Sequence, residues 1–144
     1  MKNTLVLSTF ILLIVGCSTT VNPDEYLRRM NITLKGDYEI LWQNSSPAIG
    51  DLLIEFELKL GESDYNNVVN AIKLSREFII LDPHDSFLYG PTSILSNDIE
   101  EFACLRNETY FKHLYIPDTN GNGIETYTFY LKNDSILYFQ YGQE

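Results

Sequence analysis

The sequence predicts an α+β fold, an antiparallel β-sheet with two or three helices packed on one face and a C-terminal β-meander. Three observations lead there. Leu52 to Leu60 keeps an unbroken period of two, whereas Tyr65, Val68, Val69 and Ile72 fall at helical spacing. The last third of the chain alternates Tyr- and Phe-rich segments with turn residues. Of the 144 residues, 44% are hydrophobic and 21% charged, a balance that suits a folded chain better than a disordered one.

The elements follow in order. Asn22-Pro23-Asp24-Glu25 combines a capping Asn, a Pro at the first helical position and acids in the first turn, and predicts a helix ending near Met30. Tyr38 to Gln43 reads as a strand with Tyr38, Ile40 and Trp42 on one face, followed by a loop from Asn44 to Gly50. In the strand Leu52 to Leu60, Leu52, Ile54, Phe56, Leu58 and Leu60 share the core face, and Leu53, Glu55, Glu57 and Lys59 the wet one. Ser63 is the expected cap of a helix reaching Leu74 or Ser75. Glu77 to Leu81 is a short apolar run stopped by Asp82-Pro83, and Ser86 to Tyr89 continues a strand before Gly90-Pro91. Ser96 to Arg106 fits a further amphipathic helix, with Ile99, Phe102 and Ala103 on one side and Cys104 away from them. The meander comprises Thr109 to Ile116, Ile124 to Leu131 and Ile136 to Tyr141, joined by turns at Pro117 to Gly123 and Lys132 to Ser135.

Ahead of this stands a different kind of segment. Lys2 precedes an eleven-residue apolar run, Leu5 to Val15, broken only by Ser8 and Thr9. As a helix the run reaches roughly 16 Å, about half the ~30 Å hydrocarbon core of a bilayer, so it is too short to span comfortably. It ends in Ile14-Val15-Gly16-Cys17, which resembles the lipobox of bacterial lipoproteins. The resemblance covers residues 1–17. It implies a signal peptide at 1–16, a lipidated Cys17 that begins a tether at 17–21, and one α+β domain at 22–144. Acyl chains contribute about 0.8 kcal/mol per buried methylene, and two or three of them hold a protein stably at a membrane. Ser18 after the Cys resembles the pattern sorted to the outer membrane, facing the periplasm, in a Gram-negative cell; in a Gram-positive one the anchor would sit in the plasma membrane. An ordinary secretory signal or an uncleaved anchor is the alternative. Four Asn-x-Ser/Thr triplets, at Asn31, Asn44, Asn107 and Asn133, would be glycosylation acceptors in a eukaryotic secreted chain.

A formal charge of −10 argues against nucleic acid and against electrostatic attraction to an anionic membrane surface. A basic protein is the partner that this charge suits.

Each chemical motif competes with a plainer reading. Glu55 and Glu57 stand roughly 6.6 Å apart along one strand face, within the ~6.5–9.5 Å range of inverting glycosidases, yet such carboxylates flank a sugar from opposite sides. The plainer reading is a solvated face balanced by Lys59. Asp118, Asn120, Asn122 and Gly123 match the first half of a calcium loop, but Phe129 stands where the bidentate Glu belongs, so a hairpin turn is expected. His84-Asp85-Ser86 contains triad residue types as neighbours, which point apart in an extended chain. His113 reads as packing or surface, and Cys104, with more acids than bases nearby, as an inert thiol. No catalytic, cofactor or metal site is expected. The leading expectation is a non-enzymatic envelope lipoprotein that binds a partner, in its sharper form an immunity or inhibitor protein against a basic toxin or lysozyme-like enzyme. A small periplasmic hydrolase using Glu55 and Glu57 and a structural envelope protein are the alternatives.

Overall fold

The computed structural model describes residues 20–47, 52–83, 98–119, 121 and 123–143. Among the described residues, seven strands form one mixed sheet: β1 (Tyr38–Pro47), β2 (Leu52–Leu60), β3 (Phe78–Ile80), β4 (Glu100–Arg106), β5 (Thr109–Ile116), β6 (Glu125–Leu131) and β7 (Ile136–Gln143). Their order across the sheet is β1-β2-β7-β6-β5-β4-β3. Every neighbouring pair is antiparallel except β3 and β4, which run parallel. Two short helices, α1 (Pro23–Arg29) and α2 (Glu62–Lys73), complete the described residues.

The α+β expectation is therefore corrected: the fold is β-rich, its sheet is mixed, and its helices are short. The main error lies at Ser96 to Arg106, expected as a helix and found as β4 from Glu100 onward. Ala103 and Cys104 are consecutive, on opposite faces of the strand, and both are buried. A strand covered on both sides shows no alternation, and its apolar run then imitates helical spacing. The same covering holds for β5, where Phe111 to Tyr115 are all buried.

α1 starts and stops as its sequence dictates. The Asn22 side chain accepts a hydrogen bond from the Asp24 N–H at 3.2 Å, and Pro23 opens the helix. At the other end Asn31 takes a left-handed conformation (φ 60°), donating its N–H to the Arg28 carbonyl, while the Ile32 N–H bonds to the Leu27 carbonyl. This is a Schellman ending, with the buried pair Leu27 and Ile32 as its apolar contact. The cap of α2 lies two residues before the expected one: Gly61, not Ser63, is the capping position. Gly61 offers no side chain, and the Asp37 carboxylate takes over by accepting the Ser63 N–H at 3.4 Å.

The helices cover one sheet face. Ile54, Phe56, Leu58 and Leu60 of β2, Phe129 and Leu131 of β6 and Leu137 and Phe139 of β7 meet Leu27 of α1 and Val68 and Ile72 of α2 in one core. Phe56 and Phe139 are cross-strand partners with stacked rings 4.4 Å apart. Burying each of these large side chains contributes roughly 1.5–3 kcal/mol.

β1 runs to Pro47, beyond its expected end, and carries a bulge. Ile40 pairs with Leu58, but Trp42 pairs with Glu57, so Leu41 is the extra residue. The alternation expected for Tyr38, Ile40 and Trp42 thus breaks at Leu41, and Trp42 joins the Glu57 side of the sheet.

Candidate functional site

Cross-strand partners share a sheet face, so the register assembles the outer face, opposite the helices, row by row. One row runs Trp42, Glu57, Tyr138, Tyr130, Phe111, Cys104, Ile79. The next runs Asn44, Glu55, Gln140, Thr128, His113, Phe102. At the β1 end the rows are open, with Trp42 46% exposed beside the bulged Leu41 at 47%, and Tyr130 on the middle strand β6 is exposed as well. Toward β4 and β5 they close, with Phe111, His113 and Cys104 buried.

The aromatic rings are in contact through the middle of the sheet. Tyr130 lies 6.3 Å from Tyr138 and 5.0 Å from Phe111, and Phe111 lies 6.1 Å from Phe102. Aromatic pairs at these distances add about 0.5–1.5 kcal/mol beyond burial and hold the rings in place. Glu55 is fixed among them, accepting from the Tyr138 hydroxyl at 2.7 Å and from Asn44 Nδ2 at 3.4 Å. Burial, and then the hydrogen bond and negative charge of Glu55, push the Tyr138 phenol up to about 12, so it stays a neutral donor to that carboxylate. Trp42, Glu57, Glu55 and Tyr138 together offer ring faces beside carboxylates. Ring faces beside carboxylates suit the chemistry of Arg and Lys side chains, through cation–π contact and ion pairing.

The residues singled out in the sequence fare differently. Glu55 and Glu57 do share a face, half-buried, and Glu55 belongs to the strip. Standing on one side of one strand, they do not flank a space between them, as glycosidase carboxylates do. His113 is buried; its Nδ1 lies 2.8 Å from Thr128 Oγ1, and desolvation lowers its pKa to about 4 against the weaker opposing effect of Glu100. Cys104 is on a strand, on the same face as Phe102 and not away from it, and burial raises the pKa of its thiol. Asp118 and Gly123 sit in the β5–β6 connection, while Asn120 and Asn122 lie outside the described residues. So do Cys17 with the whole signal segment, His84-Asp85-Ser86 and the expected strand at Ser86 to Tyr89. Among the described residues, no three His, Cys, Asp or Glu side chains gather to hold a metal ion.

Trp42, Leu41, Tyr130 and Tyr138 were not singled out in the sequence. Apolar residues in strands read as core, and nothing in the residue order around Leu41 announces a bulge. No protein-family model, curated protein or solved structure matches the chain.

Proposed function

We propose that this chain is a non-enzymatic envelope lipoprotein, held at a bilayer by acyl groups on Cys17, whose outer sheet face docks a basic protein. The anchor rests on the Leu5 to Val15 run and the Ile14-Val15-Gly16-Cys17 sequence. No helix among the described residues is long and apolar enough to cross a membrane.

The docking surface rests on one observation above all: Trp42, large and half-exposed at the edge of the sheet, beside Glu57 and in one row with Tyr138. Ile40 and Leu41 are exposed beside it, on an edge strand that carries no covering element among the described residues. Natural sheets blunt their edges, and Trp and Tyr dominate the binding energy of protein interfaces, so this apolar edge is the feature a partner would use. The net charge of −10 and the carboxylates of Glu39, Glu55 and Glu57 select a cationic partner. An inhibitor of a basic toxin or wall-degrading enzyme is the form of this function that the charge fits.

Affinity capture with the lipidated protein in detergent tests the docking. Captured partners should be basic, bind more weakly as salt rises, and be lost to Trp42→Ala and to Glu57→Lys. Undiminished capture by both variants, or capture of acidic proteins alone, overturns it. Mass spectrometry of the native product tests the anchor: a diacylated Cys17 as first residue is expected, and an intact Met1 or an unlipidated new terminus overturns it.

A further inference from the structure

The helix-bearing face holds a second feature, unrelated to the docking strip. Between the C-terminal half of α2 and the segment after α1 lies an open cleft of ≈ 410 Å³. Its walls are Asn31 and Thr33 on one side and Asn67, Asn70 and Arg76 on the other, over a floor of Glu101 and Lys112. A cleft of this size falls in the range of small-molecule sites, and its lining sets apolar Ala71 and Leu74 beside the amides and charges.

The charges are arranged unequally. Lys112 is 2% exposed and fully engaged, donating to the Met30 carbonyl at 2.9 Å and pairing with Glu101 at 2.8 Å. The floor is therefore neutral. Arg76 stands at the cleft wall with neither an ion pair nor a side-chain hydrogen bond among the described residues, and it leaves the cleft one positive charge in excess on a strongly acidic protein. The side-chain amides of Asn31 and Asn70 likewise have no hydrogen-bond partner among the described residues. The backbone of Asn31 is fixed by the Schellman ending of α1 and that of Asn70 by α2, so both side chains start from rigid elements at the cleft.

We propose that this cleft binds a small carboxylate that also carries amide or hydroxyl groups. The Arg76 guanidinium takes the carboxylate as a two-pronged pair, and Asn31 and Asn70 exchange hydrogen bonds with the neighbouring polar groups. A guanidinium fork takes a carboxylate or a phosphate alike, but one cation without a counter-charge matches the single charge of a carboxylate. An acidic N-acetyl sugar and the C-terminus of a short peptide both present this chemistry.

Titration calorimetry on the full-length protein, with amide signals followed by NMR, separates the two. The probes are N-acetylmuramic acid, the acidic sugar; N-acetyl-Ala-Ala with a free carboxylate; and N-acetylglucosamine, the sugar without the acid. Saturable binding of either acid is expected, with no binding of the neutral sugar. Arg76→Ala should weaken it by about tenfold or more and Arg76→Lys by less, while Asn70→Ala should weaken it severalfold. Arg76 and Asn70 are exposed, so these variants keep the fold. Binding of the sugar acid alone assigns a glycan, and binding of the dipeptide alone assigns a peptide end. Equal binding of the neutral sugar, affinity unchanged in Arg76→Ala, or no saturation by either acid at millimolar concentration overturns the proposal.

Discussion

The Lys112 ammonium, on the interior strand β5, donates to the carbonyl of Met30 at 2.9 Å, closing α1 from a position 82 residues away. The last carbonyls of a helix have no partner within it, and their partial negative charge favours a cation. The Schellman bonds of Asn31 and Ile32 use the Arg28 and Leu27 carbonyls, which leaves that of Met30 for Lys112. A buried lysine opposite Phe129 in the register is thereby explained as a helix stop with Glu101 as its counter-charge.

Replacing this lysine should be costly in a particular way. Lys112→Met keeps the stem but orphans the Met30 carbonyl and leaves Glu101 half-buried without its cation, a loss of roughly 2–4 kcal/mol in urea unfolding. Adding Glu101→Gln should recover part of that loss, because the stranded charge is gone. A double variant as unstable as the sum of the two single ones would show that the pair is not coupled.

Asp37 and Asp64 form a reciprocal clasp between the β1 entry and α2. The Asp64 carboxylate, fully buried, accepts the N–H groups of Lys35 at 2.6 Å and Asp37 at 2.8 Å, and Asp37 returns its own carboxylate to the Ser63 N–H. Asp64→Ala leaves two N–H groups without acceptors and should cost roughly 2–4 kcal/mol, and Asp64→Asn, which keeps one oxygen, should cost less. Gly61→Ala tests the other half. A methyl group there overlaps the Asp37 carboxylate, so the cap of α2 must open, at about 1 kcal/mol.

His113 should make stability depend on pH. Burial holds its folded-state pKa at about 4, below the ordinary value of 6.5. Between those values the unfolded chain binds a proton that the folded chain refuses. Stability from this group is therefore complete above pH 6.5, declines as pH falls through the window and is gone below about 4. Urea midpoints between pH 7 and pH 4 should fall less for His113→Gln than for the parent protein. Equal slopes would show that His113 titrates normally.

What the sequence conveys about this fold depends on how many sides of each element meet the core. β2 lies between a helix-covered face and the partly open outer face, and its alternation from Leu52 to Leu60 is legible residue by residue. α2 is legible for the same reason, with Val68, Val69 and Ile72 inward and Asn66, Asn70 and Lys73 outward. β4 and the middle of β5 are buried on both faces, so their residues carry no periodic signal, and β4 imitates a helix. The parallel pairing of β3 with β4 is a long-range choice that three residues of β3 cannot encode. The outer strip is half-legible: Glu55 and Glu57 stand out, whereas Trp42 reaches them only through the Leu41 bulge. The cleft is not legible at all, because Asn31, the Asn70 to Arg76 stretch and Lys112 come from three separate places in the chain.

Leu41 is the one residue of β1 without an opposite number in β2, so its deletion leaves Ile40 against Leu58 and Trp42 against Glu57. The register from Trp42 to Pro47 should survive, with stability changed by no more than about 1 kcal/mol, since an exposed side chain is lost and a regular ladder gained. The edge itself should change character. A bulge twists an edge strand away from flat pairing, and without it a ten-residue strand shortened by one presents a straight row of N–H and C=O groups beside exposed Ile40 and Trp42. Size-exclusion chromatography with light scattering should therefore show concentration-dependent association of the deletion variant beyond that of the parent. Adding Trp42→Lys to the deletion should reverse it, and a variant no more associated than the parent would show that the bulge does not guard this edge.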